Sequence, residues 1–317
     1  MDITISLLSF FTSLLIAIII APFLIPYLRK IKFGQQIITD YGPTWHKSKQ
    51  GTPTMGGFIF IGSVLVSYLI YGFQYYTKGE LFSISSVLPS SALTALIVSL
   101  LFSLMGFADD FVKVSKKRNL GLTAKQKMIL QILISAAYII YIAIKTNTRT
   151  SVDIPFTNIT LELSYFYYVF ALFAMVGFVN AVNLTDGIDG LCTSVTLPVS
   201  IFFALAATIK GASDISVLAS ALAGGCIGFL VFNWHPAKVF MGDTGSMFLG
   251  GMVVTFAFAL DMPLILVIAG FIYMIEAFSV MIQVAYFKIT KGKRLFKMTP
   301  IHHSFELSGY SEVKIVF

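Results

Sequence analysis

The chain has 317 residues, of which 57% are hydrophobic and only 12% charged, against roughly a quarter charged in soluble globular proteins. Its mean hydropathy of +0.86 and its many apolar runs near the length of about 20 residues that crosses a bilayer exclude a soluble globular enzyme. The net charge of +7 comes without a nucleic-acid-binding motif, so nucleic acid is excluded as a partner and the lipid bilayer takes its place.

Nine apolar runs read as membrane spans, at about 3–27, 55–73, 88–107, 127–145, 166–183, 191–209, 215–233, 246–260 and 263–287. The first is too long for the apolar core of a signal peptide, and Asp2 stands where a basic segment would be, so it is expected to remain as a span. Alternating ten-residue strands are missing, which leaves helices as the spanning element. The expected fold is all-α, a polytopic integral membrane helical bundle forming one transmembrane domain over 1–317. The last run, 263–287, is long enough to tilt or break, and a further apolar run begins near Phe317. Cys192 and Cys226 fall within spans and read as small apolar packing residues.

Lysine and arginine set the orientation. Loops at about 28–54, 108–126, 184–190, 234–245 and 288–304, with Lys127 at the mouth of the fourth span, carry 17 basic residues, whereas the opposite side carries only Lys78, Lys145, Arg149 and Lys210. That bias puts the five loops in the cytoplasm and the N-terminus outside. Lys116, Lys117 and Arg118 read as part of this positive anchor.

The acidic residues on the cytoplasmic side are few and collected. Asp109 and Asp110 follow the third span in "GFADDF", Asp186 and Asp189 sit in "NAVNLTDGIDG", and Asp243 sits in "NWHPAKVFMGDTGS". All five lie at one membrane depth, with Asn180, Asn183 and Asn233 nearby. An oxygen-rich group of this kind suits Mg²⁺ with substrate phosphates. Glycines in "KQGTPTMGG", "TDGIDG" and "MGDTGS" precede helices, whose N-terminal amides can hold an anion. Lys49, Lys113, Lys125 and the pair His302 and His303 are near enough in topology to meet phosphates. Glu276 and Gln283 lie within the last apolar run; they read equally as functional groups or as helix-to-helix hydrogen-bonding residues.

The segments "GTPTMGG" (51–57), "GFADDFVKV" (106–114), "NAVNLTDGIDGL" (180–191), "FNWHPAKVFMGDTGS" (232–246) and "TPIHHSFEL" (299–307) resemble those of the MraY family, the phospho-N-acetylmuramoyl-pentapeptide transferases of the polyprenyl-phosphate N-acetylhexosamine-1-phosphate transferase superfamily. The resemblance implies ten helices with both termini outside, a homodimer in the bacterial cytoplasmic membrane, and an active site on the cytoplasmic face. It also implies transfer of phospho-MurNAc-pentapeptide from UDP-MurNAc-pentapeptide to undecaprenyl phosphate, giving lipid I and UMP with Mg²⁺ in peptidoglycan synthesis. On the matching motifs, Asp109, Asp110 and Asp243 are the implied catalytic carboxylates, Asp243 the implied metal ligand, and His302 and His303 the implied catalytic histidines. Asn183, Asp186, Asp189, Asn233 and Phe240 correspond to the nucleotide pocket, and Lys49, Thr54, Lys113 and Lys125 line the substrate site. Ser304 departs from the family, which usually has a third histidine there.

Two other readings compete. A GlcNAc-1-phosphate transferase of the same superfamily shares the carboxylates, but "GTPTMGG" and "PIHHSFEL" argue against it. A transporter would carry charges near the bilayer midplane and repeat-related broken helices; Glu276 is the one such charge, and no internal repeat is visible.

Overall fold

The structure, a computed structural model, describes residues 2–31, 49, 51–77, 90–116, 121–145 and 150–317. Residues 32–48 and 50 of the first basic loop, together with Lys78, Lys117, Arg118 and Arg149, lie outside the described residues. The long helices are α1 (Asp2–Lys30), α2 (Gly57–Thr77), α3 (Ser91–Ser115), α4 (Ala124–Lys145), α5 (Phe166–Thr185), α6 (Leu191–Ile209), α7 (Ser213–Asn233), α8 (Gly242–Ala259) and α10 (Phe271–Ile289). Short helices α9 (Leu266–Ala269), α11 (Ile301–Glu306) and α12 (Glu312–Val316) complete the bundle. Among the described residues, seven helices are long and apolar enough to cross a membrane, and Gly57–Gly72 is a shorter apolar one.

Helices α7 and α8 form the centre. Nearly every residue of Ile215–Phe229 is buried, and so is all of Thr244–Phe258. Helices α1, α2 and α6 surround α7, while α3 and α5 flank α8. Small residues make these approaches possible, because lipid supplies no hydrophobic force between helices and close backbone packing must hold them. A methyl group on Gly224 of α7 would strike the carbonyl of Phe10 in α1. Gly250 and Gly251 of α8 lie against Val179 and Ser99 in the same way. Hydroxyl and amide pairs add directional contacts: Ser9 Oγ is 2.9 Å from Ser67 Oγ, and Gln131 and Asn180 exchange two amide hydrogen bonds of 3.2 and 2.7 Å between α4 and α5.

Several helices run further than the apolar pattern indicates, and in two of them the extension carries the acidic motifs. The third span continues past both aspartates to Ser115, and α8 begins at Gly242, ahead of Asp243. The polar residues of these extensions fold as helix because neighbouring elements satisfy them, as Thr244 does for Asp110. The last apolar run does break: a 3-10 turn at Pro263–Ile265 and the short α9 are separated by Gly270 from α10. A small antiparallel hairpin, β1 (Ser151–Asp153) with β2 (Thr160–Glu162), joins α4 to α5. Its alternating residues are too few and too polar for a span.

Gly224→Ala is expected to cost about 1–3 kcal/mol, the usual penalty for forcing a group into a packed interior. Gly177→Ala, where nothing lies within 4 Å of the added carbon, should leave the thermal unfolding midpoint in detergent unchanged. Equal midpoints for the two variants would remove the α1–α7 contact from the account.

Candidate active site

The contact that builds the site joins α3 to the start of α8. Four N–H groups at a helix N-terminus lack partners within their own helix, and here a carboxylate from another helix supplies one. Thr244 donates its backbone N–H and its hydroxyl to Asp110 Oδ2, at 2.9 and 2.8 Å. The geometry requires glycine twice. Gly242 has a φ of +71°, and a methyl group there would strike Asp110 Oδ2 and Thr54 Oγ1; one on Gly106 would strike the carbonyl of Asp243. Residues 53–57 complete the seat: Phe240 N–H donates to Pro53 O at 2.8 Å, and Gly56 N–H donates to Phe240 O at 2.8 Å.

Asp109, Asp110 and Asp243 thus converge, each offering an oxygen within 4.8 Å of the others. Asp109 accepts the Leu122 N–H at 2.7 Å and meets Lys113 Nζ at 2.6 Å and Lys127 Nζ at 3.0 Å. Asp243 meets the same two ammonium groups, at 3.1 and 2.9 Å, and accepts Asn183 Nδ2 at 3.0 Å. Its side chain is 18% exposed against 1% for Asp109 and 4% for Asp110. Three carboxyl groups face two ammonium groups, so the acids outnumber the cations. In the turn after α5, burial and then the charges of Asp243, Asp110 and Asp189 push the Asp186 carboxyl well above the ordinary carboxylate range. The donor set is all oxygen and collectively anionic, which fits a hard divalent cation.

A second cluster lies at the other end of the turn linking α5 to α6. Asp189 accepts Lys49 Nζ on Oδ1 at 2.7 Å and the Ala237 N–H on Oδ2 at 3.0 Å, and His235 Nδ1 lies 3.0 Å from the same Oδ2. Glu312 of α12 also meets Lys49, at 2.6 Å, and accepts the Asp189 N–H at 2.9 Å. Asn233 is buried and spans the intervening loop, donating to Val239 O at 3.0 Å while accepting from Thr193. His302 is fully buried against Gly187 and Glu276, and His303 Nδ1 lies 2.6 Å from Glu306.

The sequence-derived residues therefore divide. Asp109, Asp110, Asp243, Lys113 and Asn183 meet directly; Thr54 and Phe240 border them; Lys49 and Asp189 form the second cluster. Lys125 is exposed, and Lys127 reaches the carboxylates instead. Two residues apart on a helix is about 200°, so the two lysines face opposite ways. The available signal was Gln131, one turn after Lys127 on the buried face. His235 and Glu312 were also missed; Glu312 lies far from the motifs and gave no signal in the sequence.

A helical membrane bundle that gathers carboxylates, lysines and glycine-seated helix starts at one end of its spans has the architecture of a membrane-embedded transferase of phosphorylated groups. The model of glycosyl transferase family 4 matches residues 92–261, and phospho-N-acetylmuramoyl-pentapeptide-transferase signature 1 matches residues 49–61. The chain is 44% identical to the phospho-N-acetylmuramoyl-pentapeptide-transferase of Listeria welshimeri over 97% of its own length and 91% of that protein's. It is 46% identical to the proteins of that name from Clostridium botulinum, over 95% and 87%, and Clostridioides difficile, over 96% and 89%. The chain belongs to the phospho-N-acetylmuramoyl-pentapeptide transferase family.

Lys127→Gln is expected to lower turnover by roughly 10²-fold, the scale of removing one preorganised electrostatic group. Lys125→Gln should keep nearly full activity when assayed in parallel. The reverse ranking would mean that the exposed lysine carries the substrate contact.

Proposed function

We propose that the protein transfers phospho-MurNAc-pentapeptide from UDP-MurNAc-pentapeptide to undecaprenyl phosphate, forming lipid I and UMP at the cytoplasmic face of the bacterial membrane. The observation that carries this reading is the convergence of Asp109, Asp110 and Asp243 with Lys113 and Lys127 in a chain of this family. The match of signature 1 at 49–61 favours it over a GlcNAc-1-phosphate transferase.

The chemistry exchanges one phosphate linkage for another, so the difficulty is to bring two anions together. Lys113 and Lys127 supply fixed positive charge, which in a water-poor site acts far more strongly than in solution. Asp243 leads the ligands for Mg²⁺, being the most exposed of the three carboxylates, with Asp109 and Asp110 beside it. When bound, the ion neutralises diphosphate oxygens and charge developing on the UMP leaving group.

Asp110 orients the start of α8, and with it Asp243, through Thr244. Asp109 fixes both lysines and so positions the acceptor phosphate. A phosphate monoester with a second pKa near 6 is largely dianionic at pH 7, so positioning matters more than proton removal. Direct attack by the lipid phosphate leaves Asp243 free to remain a ligand. On the donor side, Lys49, Asp189 and Asn183 with Asp186 hold the nucleotide, Asn233 and Phe240 shape its loop, and His302 borders the turn at Gly187 with His303 packed against its ring.

Purified protein should form lipid I only with a divalent ion, Mg²⁺ serving, and Asp243→Asn should abolish product at every Mg²⁺ concentration. Turnover of UDP-GlcNAc but not of the muramoyl-pentapeptide nucleotide would replace this reading with the rival transferase. Phospho-sugar trapped on the enzyme without acceptor lipid would replace direct attack with a covalent route.

A further inference from the structure

Helix α10 is apolar around most of its circumference. Phe271, Ile272, Ile275, Phe278, Met281 and Ile282 are exposed, whereas Tyr273, Glu276, Ser279 and Gln283 are buried. The buried polar residues are spaced by three and four, which puts them on one face. A carboxylate in an apolar helix is costly unless it has a partner, and here that face has a defined task. Gln283 Oε1 accepts the N–H groups of Leu295 and Phe296, at 3.0 and 2.8 Å. Glu276 Oε2 lies 2.9 Å from His302 Nδ1. Both residues therefore seat the segment that leads from α10 into α11.

His302 has no exposed surface. A carboxylate can only accept, so its contact assigns the ring hydrogen to Nδ1 and turns Nε2 toward the opposite side. Nε2 is buried and has no hydrogen-bond partner among the described residues. It lies directly against Gly187, where any side-chain carbon would overlap it. Gly187 sits between Asp186 and Asp189, in the turn that joins the two charged clusters.

We propose that Glu276 is a positioning residue for the transfer reaction: it fixes His302 with hydrogen on Nδ1 and Nε2 held as an acceptor beneath the 185–190 turn that receives the nucleotide donor. This rests on the donor-side assignment of that turn and of His302 given above. The chain of contacts, Glu276 to His302 to Gly187, explains why an otherwise apolar span keeps an acid there. It also explains why the turn has glycine at 187: the ring occupies the space of a side chain.

Glu276→Gln tests this with little change of shape, because an amide can present its NH₂ to Nδ1 and reverse the tautomer. The expected result is a fall of roughly 10–100-fold in kcat/KM for the nucleotide donor, the scale of losing a residue that orients a functional histidine. The KM for polyprenyl phosphate and the thermal midpoint should not move. In a His302→Ala background the same change should add nothing, because residues acting as a unit are not additive. In histidine-¹⁵N-labelled protein, the ring signals that vanish in His302→Ala should report hydrogen on Nδ1 in the wild type and lose it in Glu276→Gln. Unchanged ring signals, wild-type activity of Glu276→Gln, or losses that add in full would each overturn the proposal. Wild-type activity of His302→Ala would instead overturn the assignment of His302 to the donor side, and this inference with it. The ring signals decide the matter even where a variant unfolds more easily.

Discussion

The double hydrogen bond from Thr244 to Asp110 is the constraint on which the site depends. It satisfies the buried start of α8 with a charge carried by α3, and an anion at a helix N-terminus is favoured by the helix dipole. Because Asp109 precedes Asp110 and Asp243 precedes Thr244, this one contact fixes the distance between the other two carboxylates. Gly106 and Gly242 are needed for it. A side chain at either position would separate the helices and scatter the acids.

That convergence creates an electrostatic problem which the neighbouring helices meet only in part. Lys113 lies four residues after Asp109 and three after Asp110 on the same helix, so local geometry alone brings it back over both. Lys127 comes from α4 and bridges Asp109 to Asp243. The acids still outnumber the cations, and burial together with the neighbouring acids raises Asp186. A protein selected for stability alone would replace such a cluster with apolar residues, which are often better tolerated in the interior. The retained imbalance is what a cation and an anionic substrate together can use.

Much of this was legible in the sequence. Apolar runs gave the helices, and three of the five acids read at one depth, Asp109, Asp110 and Asp243, do converge, while Asp189 joins a second cluster. Residues whose geometry is local were the easiest: Lys113 follows from helix spacing once α3 is known to continue to Ser115. Residues whose partners lie far along the chain were not legible. Lys127 looked like one of many basic anchors, and choosing it over Lys125 requires knowing which face of α4 turns inward. Glu276 was visible as an oddity, but its partner His302 is 26 residues away, beyond any helical period. Glu312 and His235 acquire meaning only when α12 meets the loop after α7.

The turn between α5 and α6 is where these contacts are combined. Asn183 reaches Asp243 from its first side, Asp189 holds Lys49 and His235 from its last, and Gly187 rests on His302 between them. Seven residues of backbone, 183–189, thus connect the carboxylate cluster, the second charged cluster and the segment held by α10. A shift of the turn that moved Asp189 would also move Asn183 and press on His302, because each end is fixed to a separate helix. In the proposed reaction, such a segment keeps the nucleotide and Asp243 in register only if it is held from behind. The polar face of α10, an expensive feature for a helix bordered by lipid, supplies that support through Glu276 and Gln283.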